Sequence, residues 1–220
     1  MAIIVLILGQ SGTGKSASMR NFKSEDVGVI NVARKPLPFK TDIKTFNSDK
    51  YDEIKSVLKR AKAKSIIIDD AQFLMANEFM RAAKQTGFQK FTDIALNFWN
   101  LTQICVNEMP DDKIVYFLAH TELDIVGNEK MKTIGKMLDE KITMEGLFTI
   151  VLKTAVADGK YSFTTQSSGR DTVKSPMGMF PQLIIDNDLK MVDDTIREYY
   201  GIQIKKEVEA PEEMEDKNAK

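Results

Sequence analysis

Residues 2 to 16 read AIIVLILGQSGTGKS. A run of Ile, Val and Leu stops at a glycine, and the segment closes on a lysine beside a serine. The apolar part is a core strand. Gly9, Gly12 and Gly14 allow backbone angles closed to residues with a Cβ, so successive N–H groups can turn inward around a phosphate. The spacing from Gly9 to Ser16 is G-x-x-x-x-G-K-S, the pattern of a phosphate-binding loop. Ser16 to Phe22 can be helical, which completes a strand–loop–helix unit and would add the positive end of a helix dipole. Gly9, Gln10, Ser11, Gly12, Thr13, Gly14, Lys15, Ser16 and Ala17 are therefore expected to wrap the phosphates of ATP. Lys15 would reach the β- and γ-phosphates, and the Ser16 hydroxyl would sit on Mg²⁺.

The rest of the chain alternates strands with helices. Strand-like runs recur at Val27 to Val32, Ser65 to Asp70 and Lys113 to Ala119. Helical patterns are expected over about 49–63, capped by Ser48, then around 77–84 and over about 91–107. Gly87 and Pro110 break the chain. Residues 148–165 form a hairpin with Asp158-Gly159 at the turn. A last helix over 193–200 stops at Gly201. This succession predicts an α/β fold with three layers, α/β/α, over a mainly parallel sheet ending in a C-terminal β-hairpin.

Composition narrows the class. A chain of 220 residues can bury one sizeable core, and its apolar fraction of 43% is that of a soluble globule. No run is long enough to cross a bilayer, and the apolar start flows into the glycine loop rather than a cleavage site, so it reads as strand and not leader. The single cysteine, Cys105, fits a reducing cytoplasm. From Glu207 onward six acids against two lysines give a tail near −4, which leaves the remainder near +3. The expected organisation is one domain over 1–204 and an acidic, disordered tail over 205–220. That tail could dock a partner or compete for a basic loop, or it could simply solubilise.

The Ile66-Ile67-Ile68-Asp69 segment would deliver a carboxylate beside the first strand, where Asp69 joins Ser16 in holding the cation. Hydrolysis also needs a group to orient or deprotonate water. Asp70 is the nearest candidate, provided the strand ends or bends there, because neighbours on a strand face opposite ways; Glu78 and Glu53 are weaker ones. His120 closes the fourth strand, at the edge where a γ-phosphate could be sensed.

GQSGTGKS, IIIDD, the strand ending LAHTE and the late GRDTVKSPMGMFP, in that order, resemble the short phage P-loop nucleotide-binding proteins, relatives of the RecA-core ATPases that include phage single-strand annealing proteins. The resemblance spans roughly residues 2 to 202. It implies a P-loop NTPase with a RecA-like sheet, an ATPase acting with single-stranded DNA in phage recombination or replication in the host bacterial cytoplasm, and a homo-oligomer. It places DNA contact on the loop from Thr121 to Lys136, with Lys130, Lys132 and Lys136, and assigns Arg170 and Lys174 to the neighbouring subunit's γ-phosphate. The chain departs from the RecA pattern in one respect. The strand after the loop ends Asn31-Val32-Ala33-Arg34-Lys35 with no acid, where a catalytic glutamate is expected.

Two other classes use the same loop. A small-molecule kinase needs an arginine-rich lid, and the arginines here are few and scattered. A non-catalytic nucleotide-binding module would load or regulate a replication protein.

Overall fold

Alternate side chains of a strand point to opposite faces, and in the first strand both faces are buried. In the computed structural model, which describes residues 1–202, β1 (Ile3–Leu8) sends Ile4, Leu6 and Leu8 into one hydrophobic cluster and Val5 and Ile7 into another. Such a strand needs a packed layer on each side. One layer comes from α1 (Tyr51–Arg60), α2 (Gln72–Arg81) and α3 (Gln89–Asn107), through Ile54, Leu58, Leu74, Met75, Phe98 and Leu101. The other comes from α4 (Leu189–Tyr200) and a 3₁₀ segment, Ser16–Asn21, through Leu189, Val192, Ile196 and Met19.

The remaining strands are β2 (Val27–Asn31), β3 (Thr45–Phe46), β4 (Ser65–Asp69), β5 (Ile114–Ala119), β6 (Thr121–Leu123), β7 (Glu129–Met131), β8 (Ile150–Ala157), β9 (Lys160–Thr164) and β10 (Ile184–Asp186). With β1, seven of these form one eight-stranded sheet in the order β10-β9-β8-β1-β5-β4-β2-β3. From β8 to β3 every pairing is parallel, while β9 and β10 join antiparallel. The mixed α/β architecture and the mainly parallel sheet agree with the sequence expectation. The hairpin also agrees: β8 and β9 turn at Asp158 and Gly159, both with positive φ.

The strand neighbours differ from the expectation at one important place. The strand of Asp69 does not lie beside β1, because β5 stands between them. Every side chain of β5 is buried, so it takes an enclosed central position. Leu8 is in register with Ala119, Ile68 with Phe117, and Asn31 with Asp69. The chain therefore leaves β1, β5, β4 and β2 along one edge of the sheet, where ligands of parallel α/β folds bind.

Local corrections have local causes. The segment after the glycine loop is a six-residue 3₁₀ turn rather than an α-helix, too short to build the expected dipole. Ser48 does not cap α1, whose N-cap is Lys50; its hydroxyl accepts from the Lys50 N–H and donates to Glu53. α2 begins at Gln72, directly after the Asp70 turn. α4 begins at Leu189, because the Asp188 carboxylate accepts from the N–H groups of Lys190 and Met191. The segment from Thr121 to Lys136 contains a β6–β7 hairpin rather than an open loop. The tail over 205–220 lies outside the described residues. Among the described residues no helix is long and apolar enough to cross a membrane.

Candidate functional site

The glycine loop fits its surroundings closely. A Cβ on Gly9 would fall 1.8 Å from the Thr154 hydroxyl, so any other residue there would displace the Thr154 side chain. Gly12 and Gly14 have φ of +79° and +95°, a region that residues with a Cβ rarely enter. Thr13 ties the loop to the sheet through a 2.6 Å hydroxyl–hydroxyl bond to Thr154, whose own hydroxyl donates to the Leu8 carbonyl. Beneath Gly14 lie the Tyr161 ring and the amide of Asn187. That amide is buried, and neither its oxygen nor its nitrogen has a hydrogen-bond partner among the described residues.

Lys15 is buried, and its ammonium donates to the carbonyls of Gly9 and Gln10 at 2.8 Å each. Burial pulls its pKa down to about 8, against the opposing charges of Asp70 and Asp69. The Ser16 hydroxyl donates to the Asp69 carboxylate at 2.9 Å. Burial, followed by the charge of Asp70, raises Asp69 to about 6, while the Ser16 bond and Lys15 pull the other way. A carboxylate disfavoured in this way gains from a nearby cation. One hydroxyl oxygen and one carboxylate oxygen suit Mg²⁺, which keeps water and phosphate oxygens for its remaining positions. Among the described residues no three His, Cys, Asp or Glu side chains gather into a metal cage.

β4 ends at Asp69, and Asp70 turns left-handed with φ of +58°. That turn meets the condition set by the sequence: the two carboxylates need not oppose each other across the sheet. The Asp70 carboxylate binds the Lys35 ammonium at 2.8 Å, and His120 Nε2 lies 3.3 Å away. Burial pushes Asp70 upward, but the bonds from His120 and Lys35 outweigh it and bring the carboxyl to about 2. A general base works best with a pKa near the working pH. Asp70 is thus suited to orienting water and poorly suited to holding its proton.

These groups border a cavity of about 460 Å³, lined by Ser11, Gly12 and Gly14 to Ala17 of the loop together with Lys35, Pro36, Pro38, Asp69, Asp70, His120 and Tyr161. Its size is that of a small-molecule site, in the range of roughly 300–1,000 Å³. A larger cleft of about 730 Å³ lies beside the β6–β7 hairpin, but Glu122, Asp124, Glu129, Asp139, Glu145 and Asp171 line it, a charge that repels a polyphosphate.

The structure gathers the loop, Asp69, Asp70 and His120 as the sequence proposed. It does not bring Arg170 or Lys174 to this cavity within one chain: exposed Arg170 accepts the Glu129 N–H through its carbonyl, and half-buried Lys174 pairs with Val151 along β8. Glu53 and Glu78 lie elsewhere, bound to Ser48 and Asn97. Of the hairpin lysines, Lys130 is paired with Asp139 and Lys136 with Glu140, while Lys132 is exposed. Sequence reasoning missed Lys35, the two prolines beside it, Thr154, Tyr161 and Asn187. The signal for Lys35 was present, since it follows the strand whose missing acid had been noted.

Comparison with protein-family models and with curated proteins found no match to this chain.

Proposed function

We propose that this chain is a Mg-ATP-dependent ATPase of the P-loop, RecA-like kind. It works as a homo-oligomer with single-stranded DNA in phage recombination or replication, in the host cytoplasm. The observation that carries the nucleotide part is the Ser16–Asp69 hydrogen bond of 2.9 Å, beside a buried Lys15 whose ammonium donates to two loop carbonyls. A hydroxyl and a carboxylate held together from chain positions far apart, next to an ammonium and a glycine loop with positive φ at Gly12 and Gly14, suit a polyphosphate with its cation.

In that receptor Lys15 exchanges its carbonyl partners for β- and γ-phosphate oxygens, while Ser16 and Asp69 hold Mg²⁺. Held by Ser16 and Asp69, the cation would supply positive charge that offsets the charge of the phosphates. Asp70, steadied by His120, accepts a hydrogen bond from the attacking water. The water oxygen bonds to the γ-phosphorus as the bond to the bridging oxygen breaks, and the water proton leaves on the product phosphate. The strand after the loop lacks an acid, and Asp70 sits at about 2, so unaided turnover is slow. That same observation favours a second reading, a nucleotide-binding module that loads or regulates a replication protein. The DNA and oligomer parts rest on the resemblance of the four motifs and on exposed Lys132.

Calorimetry with Mg·ATP, followed by phosphate release with and without single-stranded DNA, tests these readings. Wild-type protein should bind ATP and release phosphate faster with DNA. Lys15→Ala should lose roughly 100-fold or more in activity, the scale of removing a preorganised phosphate-charge ligand. Unchanged hydrolysis by Lys15→Ala refutes the ATPase reading, and binding without turnover under any condition selects the module.

A further inference from the structure

Lys35 has a fixed root and a free tip. Arg34, just before it, adopts a φ of +57°, and Pro36 just after it has a locked φ. The Lys35 carbonyl accepts a 2.6 Å bond from the amide of Asn31, the buried last residue of β2. Its side chain is 62% exposed and lines the same cavity as Lys15. The ammonium rests on Asp70 and lies 5.1 Å from the centre of the Phe73 ring. No arginine lines that cavity among the described residues, so Lys35 is the cation that this chain itself adds beyond the glycine loop.

Building on the ATPase reading above, we propose that Lys35 is a ligand of the γ-phosphate supplied by the same chain, and that it makes the site prefer triphosphates to diphosphates. Asp70 directly follows Asp69 at the exit of β4 and lines the same cavity, so the ATPase reading sets the γ-phosphate beside it. A γ-phosphoryl group there presents three oxygens and more charge than one carboxylate. Lys35 exchanges Asp70 for it by rotating its flexible stem, with no change in its anchored backbone. A diphosphate ends one phosphoryl group short, so Lys35 stays on Asp70. The exchange frees one Asp70 oxygen for water while His120 keeps its hold on the carboxylate. During hydrolysis the Lys35 side chain offsets charge on the departing phosphoryl oxygens. It takes no proton and forms no covalent bond. A cation so placed performs within one subunit the role that the resemblance gives to Arg170 and Lys174 across an interface.

The test is the ratio of dissociation constants for ATP and ADP, measured by calorimetry with magnesium and again in EDTA, for wild type, Lys35→Ala and Lys35→Arg. Lys35→Ala should weaken ATP by about 10- to 100-fold, the scale of one charge-assisted hydrogen bond, and ADP by less than about 3-fold. Lys35→Arg should recover part of the ATP preference. All three proteins should still fold, as a melting curve would show, since Lys35 is exposed and His120 keeps its contact with Asp70. Equal losses for ATP and ADP, or an unchanged ATP constant in Lys35→Ala, overturn the assignment while leaving the ATPase reading intact. Wild-type protein that binds neither nucleotide overturns both.

Discussion

The five residues of β4 connect two aspartate–cation pairs that could hardly differ more. At its start, Ser65 donates to Asp193 at 2.6 Å, and Asp193 also receives Tyr116 and the Nε of Arg197. The Arg197 guanidinium then donates to the carbonyls of Asp112 and Lys64 and to the Ser65 hydroxyl. Both charged side chains are almost wholly enclosed, at 6% and 4% exposure. At the other end of the strand Asp70 meets Lys35, whose side chain stands mostly in solvent. The first pair is locked by four neighbours with nothing left to offer a ligand. The second has a partner that can leave, on a left-handed backbone, facing a cavity. Enclosure and saturation mark the structural pair, while exchangeability marks the candidate chemical one.

Variants at the two ends should separate cleanly. The largest effect expected on the fold comes from Arg197→Ala, which leaves the Asp193 carboxylate buried without its cation. The cost is about 3–5 kcal/mol, or a fall in Tm on the order of 10 °C for a domain of this size. ATP affinity of the folded fraction should be unchanged; a Tm within a degree of wild type would erase the contrast. Next comes Gly14→Ala. Its Cβ would lie 2.8 Å from the Tyr161 ring at a φ of +95°, so the loop must shift at a cost of about 1–3 kcal/mol. Nucleotide affinity should drop about tenfold or more, and a normal dissociation constant would show that the loop tolerates what its backbone forbids.

The smallest effect tests a third group of charges, Lys153 between Glu129 and Asp171. Burial pushes Asp171 upward, but the bonds from Lys153 and Ser168 hold its carboxyl below the ordinary value. Its stabilising contribution is therefore present above the unfolded pKa of about 3.9 and is lost as pH falls through the lower folded value. Lys153→Ala should flatten the loss of stability between pH 5 and pH 2 by about 1 kcal/mol, read from urea unfolding at each pH. An acid limb as steep as that of wild type would remove Asp171 from the account.

Legibility followed range. Gly9 to Ser16, the β8–β9 turn at Asp158-Gly159 and the buried strands were readable because each depends on neighbours in sequence. The central place of β5 was not, since it is decided by which strand best fills a wholly enclosed position. Asp70 was readable as a conditional, and its φ of +58° met the condition. Lys35 was passed over because a search for an acid after β2 asks nothing of a cation there. Asn187 and Tyr161 reach Gly14 only through the β8–β9–β10 edge, a meeting that no local pattern announces.

The hydrogen bond between Ser16 and Asp69 also bears on speed of response. Because the fold itself holds these two groups together, the disorder surrendered in gathering them is lost when the chain folds. In the reading proposed above, a nucleotide would meet a site already shaped, and its capture would be set by arrival and by the two lysines, Lys15 and Lys35, that exchange partners.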